Sequence, residues 1–227
     1  SIKIINMKKI KLICFDVGGT LVYHTRNWSI GINNYKQFLK RYGIRNDIDI
    51  DNIRANIFDT KVWKNIDEAV WMYINKIGVK RNIDEFIFKF KDYAIRHHHH
   101  IRYYRETKYV LNKLRKFGWK IAFITNWDQH ARGDFELIGL SRYADHMLIS
   151  SEHGKRKPHP SLYKRVLKIF KVKPSEALMV GDSYEKDYLA PLKFGMHALW
   201  LNRKGHKKES VKQIRNLKEV IKYVNNI

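Results

Sequence analysis

The sequence has one cysteine, four prolines and no long apolar run. With Cys14 alone, no disulfide can form within the chain, which excludes a disulfide-stapled secreted scaffold and favours a reducing compartment. No apolar stretch approaches the roughly 20 residues that a membrane-spanning helix needs. Residues 1–9 also lack the longer apolar stretch and cleavage site of a secretory signal. We therefore expect a cytoplasmic protein that does not interact with membranes.

Acidic residues are also scarce, since 22 Asp and Glu face 45 Lys and Arg and leave a formal net charge of +23. A field of that sign concentrates anions, either phosphorylated metabolites or nucleic acid. Much of the surplus is consistent with a general preference for Lys, and the sequence contains no recognised nucleic-acid-binding module. We expect a small anionic, phosphorylated substrate and no nucleic-acid partner. The sequence does not predict an oligomeric state.

Short apolar runs alternate with amphipathic stretches along the first strand and the second half of the chain, which is typical of βα units. The pattern predicts strands over 11–15, 120–124, 146–149, 177–180 and 197–201, and helices at about 105–117, 128–138, 160–171, 184–194 and 209–224. Gly118 and Gly195 stand where helices end and a positive φ is favoured. The predicted fold class is α/β, with a mostly parallel sheet covered by helices on both faces.

Residues 25–100 do not follow this alternation. Helical periodicity predicts helices at about 29–42, 51–60, 66–77 and 83–96, with no strand between them. The sequence therefore predicts two domains: a core made of residues 1–24 and 101–227, and an all-helical insertion made of residues 25–100.

Polar residues stand where the predicted strands end. They are Asp16, Thr125, Asp182 with Asp187, and Lys157 in the loop after the strand over 146–149. Ligands of open α/β sheets bind beyond the carboxyl ends of the strands, so these side chains are expected to converge there. Three converging carboxylates repel one another unless a cation lies among them, and carboxylate oxygens suit Mg²⁺. A lysine and a hydroxyl can hold phosphoryl oxygens, and an Asp is a known nucleophile towards phosphoryl groups.

Four segments in order resemble the motifs of the haloacid dehalogenase-like (HAD) superfamily. They are Phe15-Asp-Val-Gly-Gly-Thr-Leu21, Ile124-Thr-Asn126, Gly154-Lys-Arg-Lys-Pro-His-Pro160 and Val180-Gly-Asp-Ser-Tyr-Glu-Lys-Asp187. The resemblance covers about 10–24 and 103–203 and implies a three-layer, Rossmann-like hydrolase core. The insertion is placed like the helical cap of subfamily I, between the first and second motifs.

The resemblance also implies a role for each matching residue. Asp16 would be the nucleophile and a Mg²⁺ ligand. The carbonyl oxygen of Gly18 and the carboxylate of Asp182 would complete the metal site, and Asp187 would act on the metal directly or through water.

The transferred group would be bound by three other residues. The resemblance implies that Thr125 and the backbone amide of Asn126 hold the oxygens of the transferred group, and that Lys157 bridges this group to the nucleophile. The expected activity is that of a Mg²⁺-dependent phosphohydrolase that works through an aspartyl-phosphate on Asp16.

One position departs from the family pattern. Phosphatases of this kind usually carry a second Asp two residues after the nucleophile, which protonates the leaving group, and here that position is Gly18. General acid catalysis is typically worth 10²–10⁴-fold, so its loss is expected to favour good leaving groups such as acyl or aryl phosphates. Two alternatives stay open: a 2-haloacid dehalogenase, in which Asp16 is alkylated, and a non-catalytic binding or regulatory protein. A further hypothesis is that His24 or one of His97–His100 replaces the missing acid.

Overall fold

A computed structural model of the chain describes residues 9–24, 37, 40–45, 47–98 and 101–227, with the backbone alone for residues 93–98. The strands in these ranges are β1 Leu12–Phe15, β2 Val22–His24, β3 Ile101–Tyr103, β4 Lys120–Thr125, β5 His146–Ile149, β6 Ala177–Gly181, β7 His197–Leu201 and β8 Gln213–Ile214. Six of them form one sheet in the order β5-β4-β1-β6-β7-β8, with parallel neighbours throughout. The predicted α/β fold with a parallel, Rossmann-like sheet is confirmed.

The helices of the described ranges are α1 Ile50–Phe58, α2 Ile66–Ile77, α3 Ile83–His98, α4 Thr107–Lys116, α5 Ala131–Leu137, α6 Ser150–His153, α7 Pro160–Phe170, α8 Ala190–Lys193 and α9 Lys218–Asn225. A π-helical stretch, Tyr184–Leu189, runs directly into α8. Gly118 and Gly195 follow α4 and α8 with φ values of 78° and 83°, which confirms their predicted role at helix ends. Among the helices described here, none is both long and apolar enough to cross a bilayer.

The central strands are apolar on both sides because successive side chains point to opposite faces of the sheet. In β1, Ile13 and Phe15 join a cluster that includes α4 and α9, whereas Leu12 and Cys14 join a second cluster that includes α7. All four are fully buried. The core therefore has three layers, helix on sheet on helix. Burial also raises the pKa of the Cys14 thiol, so this residue contributes packing rather than a nucleophile.

Helices α1, α2 and α3 lie between β2 and β3 and have a hydrophobic cluster of their own. Its aromatic members include Tyr42, Phe58, Tyr73, Phe86 and Phe90, whose rings contact one another at centroid distances of 5.0–6.2 Å. These helices confirm the predicted helices over 51–60, 66–77 and 83–96. The predicted helix over 29–42 falls mostly outside the described residues.

The structure corrects two features of the predicted secondary structure. The predicted helix over 209–224 is wrong in its first half, where β8 pairs with β7 as the edge strand of the sheet and α9 begins only at Lys218. Ile214 and Leu217 are spaced as on a helix, yet Ile214 is buried beside Leu201 as a strand residue. The antiparallel pair β2 and β3, in which His24 lies opposite Ile101, was not predicted. Strands of three residues are too short to show a period of two.

Candidate active site

The site lies where β4, β1 and β6, three neighbours in the sheet, reach their carboxyl ends. Asp16 follows β1, Thr125 is the last residue of β4, and Asp182 follows β6. The backbone N–H of Asp16 donates to the carbonyl oxygen of Val180 at 2.9 Å, which keeps Asp16 in register with β6. Thr125 is buried, with 1% of its surface exposed. The sheet order therefore places these residues at one edge, as the strand pattern predicted.

Three carboxylates converge at this edge. One oxygen from each of Asp16, Asp182 and Asp187 lies within 4.8 Å of the others. Two glycines make room for them: a Cβ on Gly19, whose φ is +77°, would lie 2.2 Å from Asp182 Oδ2, and a Cβ on Gly181 would lie 2.3 Å from Asp187 Cγ. A set of hard oxygen donors in a space that only glycine leaves open fits a divalent cation such as Mg²⁺.

The three carboxylates repel one another when all of them are charged. Loss of hydration, together with the charges of Asp16 and Asp187, raises the pKa of Asp182 to about 7, although part of this residue stays in solvent. Burial raises the pKa of Asp187 to about 6 against the opposing charge of Lys157. Because crowding disfavours the charged carboxylates, a bound cation would relieve the repulsion.

Lys157 supplies the positive charge within the cluster. Its Nζ donates to Asp16 Oδ1 at 2.7 Å and to Asp187 Oδ1 at 2.6 Å, and only 2% of the side chain is exposed. Burial by itself lowers the pKa of a lysine, but the two carboxylates outweigh it and raise the pKa of Lys157. The ammonium group therefore stays charged at neutral pH. Within the basic run Lys155-Arg156-Lys157, it is the residue that enters the site.

Thr20 links the loop after β1 to the end of β6, and its part in the site was missed from the sequence. Its hydroxyl donates to Asp16 Oδ2 at 3.1 Å and accepts from the backbone N–H of Asp182 at 3.1 Å. Arg203 donates to the carbonyl oxygen of Thr20 at 3.0 Å and pairs with Glu106 at 2.7 Å. Thr20 lies within the first motif, four residues after Asp16. This position was the signal from which its part in the site could have been predicted.

Asn126 makes contacts that its predicted role did not include. Its side-chain carbonyl oxygen accepts from the backbone N–H of Lys157 at 2.7 Å, and its side-chain amide donates to the carbonyl oxygen of Lys157 at 2.9 Å. This reciprocal pair joins the end of β4 to the loop after α6. The prediction assigned only the backbone amide of Asn126 to the transferred group.

Gly18 lies between Asp16 and Thr20, in an isolated bridge with Val22. The indole of Trp127 covers it, because a Cβ on Gly18 would lie 3.1 Å from Trp127 Cζ3. The ring of His24 stacks on the same indole, with centroids 5.5 Å apart. His24 and Gly18 therefore contact the same indole. The side chains of His97–His100 lie outside the described residues.

The helical insertion contacts the loops that carry the site residues. Arg156, next to Lys157, donates to Asn52 Oδ1 on α1 at 2.6 Å. Gln129 in the loop after β4 accepts from the backbone N–H of Trp63 at 2.6 Å. The cluster of carboxylates and Lys157 is therefore next to the surface where the insertion meets the sheet.

The comparisons with known proteins agree with this geometry. A family described as haloacid dehalogenase-like hydrolase matches residues 10–195 of the chain. The glyceraldehyde 3-phosphate phosphatase of Pyrococcus furiosus is 28% identical over 211 residues, which cover 86% of this chain and 81% of the relative.

Two solved structures share the fold. A HAD phosphatase from Thermococcus onnurineus has a TM-score of 0.68 at 24% identity and covers 95% of this chain and 98% of its own. A 2-haloacid dehalogenase from Pseudomonas syringae has a TM-score of 0.67 at 22% identity and covers 96% and 99%. Since proteins with two different named activities share this fold, the fold alone does not distinguish phosphate from halide chemistry.

Proposed function

This chain belongs to the haloacid dehalogenase-like hydrolases, and we propose that it is a Mg²⁺-dependent phosphohydrolase acting on a small phosphorylated substrate. The observation that carries the proposal is the buried contact of Lys157 with both Asp16 and Asp187, beside Asp182. The similarity to the Pyrococcus furiosus phosphatase over most of both chains adds support. The net charge of +23 is consistent with an anionic substrate. From the single cysteine, we further propose a cytoplasmic location.

In the proposed reaction, a carboxylate oxygen of Asp16 attacks the phosphorus atom. The bond from phosphorus to the leaving-group oxygen breaks with its electron pair, and an aspartyl-phosphate forms. Lys157, Thr125 and the backbone amide of Asn126 hold the oxygens of the transferred group. Water then attacks phosphorus and releases inorganic phosphate, which regenerates the Asp16 carboxylate.

The proposed metal site consists of the carboxylates of Asp16, Asp182 and Asp187 and the carbonyl oxygen of Gly18. The donor set supports Mg²⁺ because every ligand is a hard oxygen. When bound, Mg²⁺ offsets the negative charge that the nucleophile and the phosphoryl group bring together.

We also propose that Gly18 restricts the reaction to leaving groups that depart without a proton. The position two residues after Asp16 has no side chain, and the indole of Trp127 lies against it. Acyl and aryl phosphates release weakly basic oxygens, whereas sugar phosphates release strongly basic alkoxides. The preference therefore rests on leaving-group basicity.

Residues 25–100 are proposed to form a subfamily I helical cap on a core made of residues 1–24 and 101–227. Three features support this division: α1–α3 have their own hydrophobic cluster, the pair of His24 with Ile101 stands at its base, and Arg156 and Gln129 contact it from the core. A cap in this place would exclude water and select substrates.

The second candidate is a 2-haloacid dehalogenase, in which Asp16 displaces halide from carbon. Halide leaves without a proton, so Gly18 is no handicap in this reaction. The retained carboxylates Asp182 and Asp187 favour the phosphohydrolase, because a halide displacement has no need of a three-carboxylate cation site.

The deciding experiment compares phosphate release from p-nitrophenyl phosphate with chloride release from 2-chloropropionate, each with and without Mg²⁺. Wild type, Asp16→Asn and the exposed control Asp51→Asn are assayed. Mg²⁺-dependent phosphate release that only Asp16→Asn abolishes supports the proposal. Metal-independent chloride release would overturn it in favour of dehalogenation.

A further inference from the structure

The indole of Trp127 lies against the position that a Cβ at residue 18 would occupy. A Cβ on Gly18 would lie 3.1 Å from Trp127 Cζ3, with Cε3 and Cη2 both at 3.8 Å. The best separation between non-bonded carbon atoms is about 3.5–4.0 Å, so even a methyl group would press on the ring. Gly18 does not have a positive φ. The ring, and not the backbone conformation, therefore disfavours a side chain at this position.

The indole is held in place from several sides. The backbone N–H of Trp127 donates to Ser150 Oγ at 3.0 Å, and the Ser150 hydroxyl donates to the Trp127 carbonyl oxygen at 3.2 Å. Phe135 packs edge-on against the ring at 5.1 Å, and His24 stacks on it at 5.5 Å. A ring packed against two aromatic groups on a fixed backbone does not swing aside at low cost.

The position of the ring relative to the nucleophile gives it a role. Gly18 is two residues from Asp16, and Trp127 follows directly on the two residues proposed to bind the phosphoryl group. A leaving group that extends from a phosphoryl group on Asp16 across Gly18 meets carbon atoms of the indole. These carbon atoms offer no hydrogen bond to a hydroxyl, and burying a hydroxyl against them without a partner is costly.

We propose that Trp127 is a specificity-determining residue whose indole forms an aromatic wall beside the leaving group and selects flat aryl phosphates. This rests on the proposed phosphohydrolase function and deepens it. Gly18 limits how basic the leaving group can be, and Trp127 selects the shape of the leaving group. Aromatic groups gain from stacked or edge-on contact with an indole beyond the area that they bury. A compact alkyl group makes fewer of these contacts.

The test separates shape from acidity. Phenol and trifluoroethanol are both more acidic than an ordinary alcohol, but only the phenyl group is flat. Because phenol is the more acidic of the two, the effect of shape is measured by the change in preference that a Trp127 substitution causes. We expect wild type to favour phenyl phosphate, and Trp127→Leu to lose about 10-fold of that preference through a higher KM for the phenyl ester, in line with one aromatic contact. Trp127→Phe should retain most of the preference, and the exposed control Trp71→Leu should retain all of it. An unchanged preference in a folded Trp127→Leu protein overturns the proposal.

A binding measurement keeps this proposal distinct from the proposed function. Calorimetry compares phenylphosphonate with methylphosphonate, neither of which contains a cleavable ester. Tighter binding of phenylphosphonate that Trp127→Leu removes supports the wall even if wild type hydrolyses no phosphate ester, a result that refutes the phosphohydrolase alone. Equal binding of both phosphonates by wild type and Trp127→Leu, alongside normal hydrolysis, refutes the wall alone.

The contact between the Trp127 ring and residue 18 can be tested by its effect on thermal stability. Gly18→Ala should lower the melting temperature in the wild-type background and lower it less in Trp127→Leu, because the shorter side chain leaves room for the methyl group. Such non-additivity is expected of residues in contact. Equal losses in the two backgrounds would contradict the placement of the ring over Gly18.

Discussion

The side chain of Asn126 holds the backbone of Lys157 at both of its hydrogen-bonding groups, accepting at 2.7 Å and donating at 2.9 Å. The same lysine donates from its Nζ to Asp16 at 2.7 Å. The position of the positive charge beside Asp16 therefore depends on Asn126, the residue that directly follows β4. A small displacement of a positioned group is costly in catalysis.

Removing this pair should slow the reaction without removing a charge. Asn126→Ala is expected to lower kcat by about 10²-fold, the size of effect that follows from a misplacement of about 1 Å. Asn126→Asp keeps the acceptor for the Lys157 N–H but loses the donor and adds a negative charge near the cluster, so it should be at least as slow as Asn126→Ala. Steady-state kinetics on p-nitrophenyl phosphate measures both. Asn225→Ala, at the exposed end of α9, is the control, and an Asn126→Ala enzyme with the wild-type kcat would contradict the positioning role.

Thr20 offers an isosteric test of the link between Asp16 and Asp182. Thr20→Val keeps the shape of this fully buried side chain but leaves the Asp182 N–H and one Asp16 oxygen without their hydroxyl partner. An unmet buried polar group costs about 1–3 kcal/mol, so denaturant unfolding should show a loss of that order together with a lower kcat. Thr20→Ser retains the hydroxyl and should keep both values close to wild type. Equal behaviour of the two variants would mean that the hydroxyl has no part in holding Asp16.

Protonation of the carboxylates should compete with Mg²⁺. The pKa values of Asp182 and Asp187 are raised to about 7 and about 6, so the metal-free folded state binds these protons more tightly than the unfolded chain does. Their contribution to stability is present at low pH and is lost as the pH rises through this range. Mg²⁺ should restore stability only where the carboxylates are ionised.

The corresponding measurement is the shift in melting temperature on adding Mg²⁺. We expect a large shift at about pH 8 and little or none at about pH 5, because both pKa values lie between these conditions. Asp182→Asn should reduce the shift at the higher pH. A shift that is the same at both pH values would show that Mg²⁺ does not bind at these carboxylates.

The rate of hydrolysis should depend steeply on the basicity of the leaving group. Because residue 18 cannot donate a proton, kcat for alkyl phosphates should lie below that for nitrophenyl phosphates by about 10²–10⁴-fold, the usual contribution of a general acid. A series of substituted phenyl phosphates and glycerol 3-phosphate tests this. Equal kcat values across the series, with the chemical step rate-limiting, would show that another group supplies the proton.

His24 can be tested in the same series. If His24 supplies the proton, His24→Ala should lower kcat on glycerol 3-phosphate and leave the best aryl esters almost unchanged. Equal effects on all esters, or none, would exclude it as the acid.

The strand ends were predictable from the sequence because buried strands leave strong local signals. Apolar runs such as residues 121–124 indicate where strands end, and a parallel sheet brings those ends together. That is why Asp16, Lys157, Asp182 and Asp187 could be named before their distances were known. Short or edge elements carry no such signal, so β2, β3 and β8 were missed, and Ile214 was assigned to a helix on its spacing alone.

The contacts that link these residues could not be predicted in the same way. The position of Trp127 over Gly18 depends on the path of two different loops, and no spacing in the sequence records it. The hydrogen bonds of Asn126 to Lys157 likewise join residues 31 positions apart. Such relationships are set by tertiary packing, which local patterns do not encode.

The most direct test of the central claim is to trap the aspartyl-phosphate on Asp16. The enzyme is mixed with p-nitrophenyl phosphate and Mg²⁺, quenched, reduced with borohydride and digested, because borohydride converts an acyl phosphate to an alcohol but leaves a free carboxylate intact. Peptide mass spectrometry should then find the reduced side chain at Asp16 only when both substrate and Mg²⁺ were present, and not at the control Asp51. Phosphate release from an enzyme whose Asp16 is never reduced, or reduction at another residue, would contradict it.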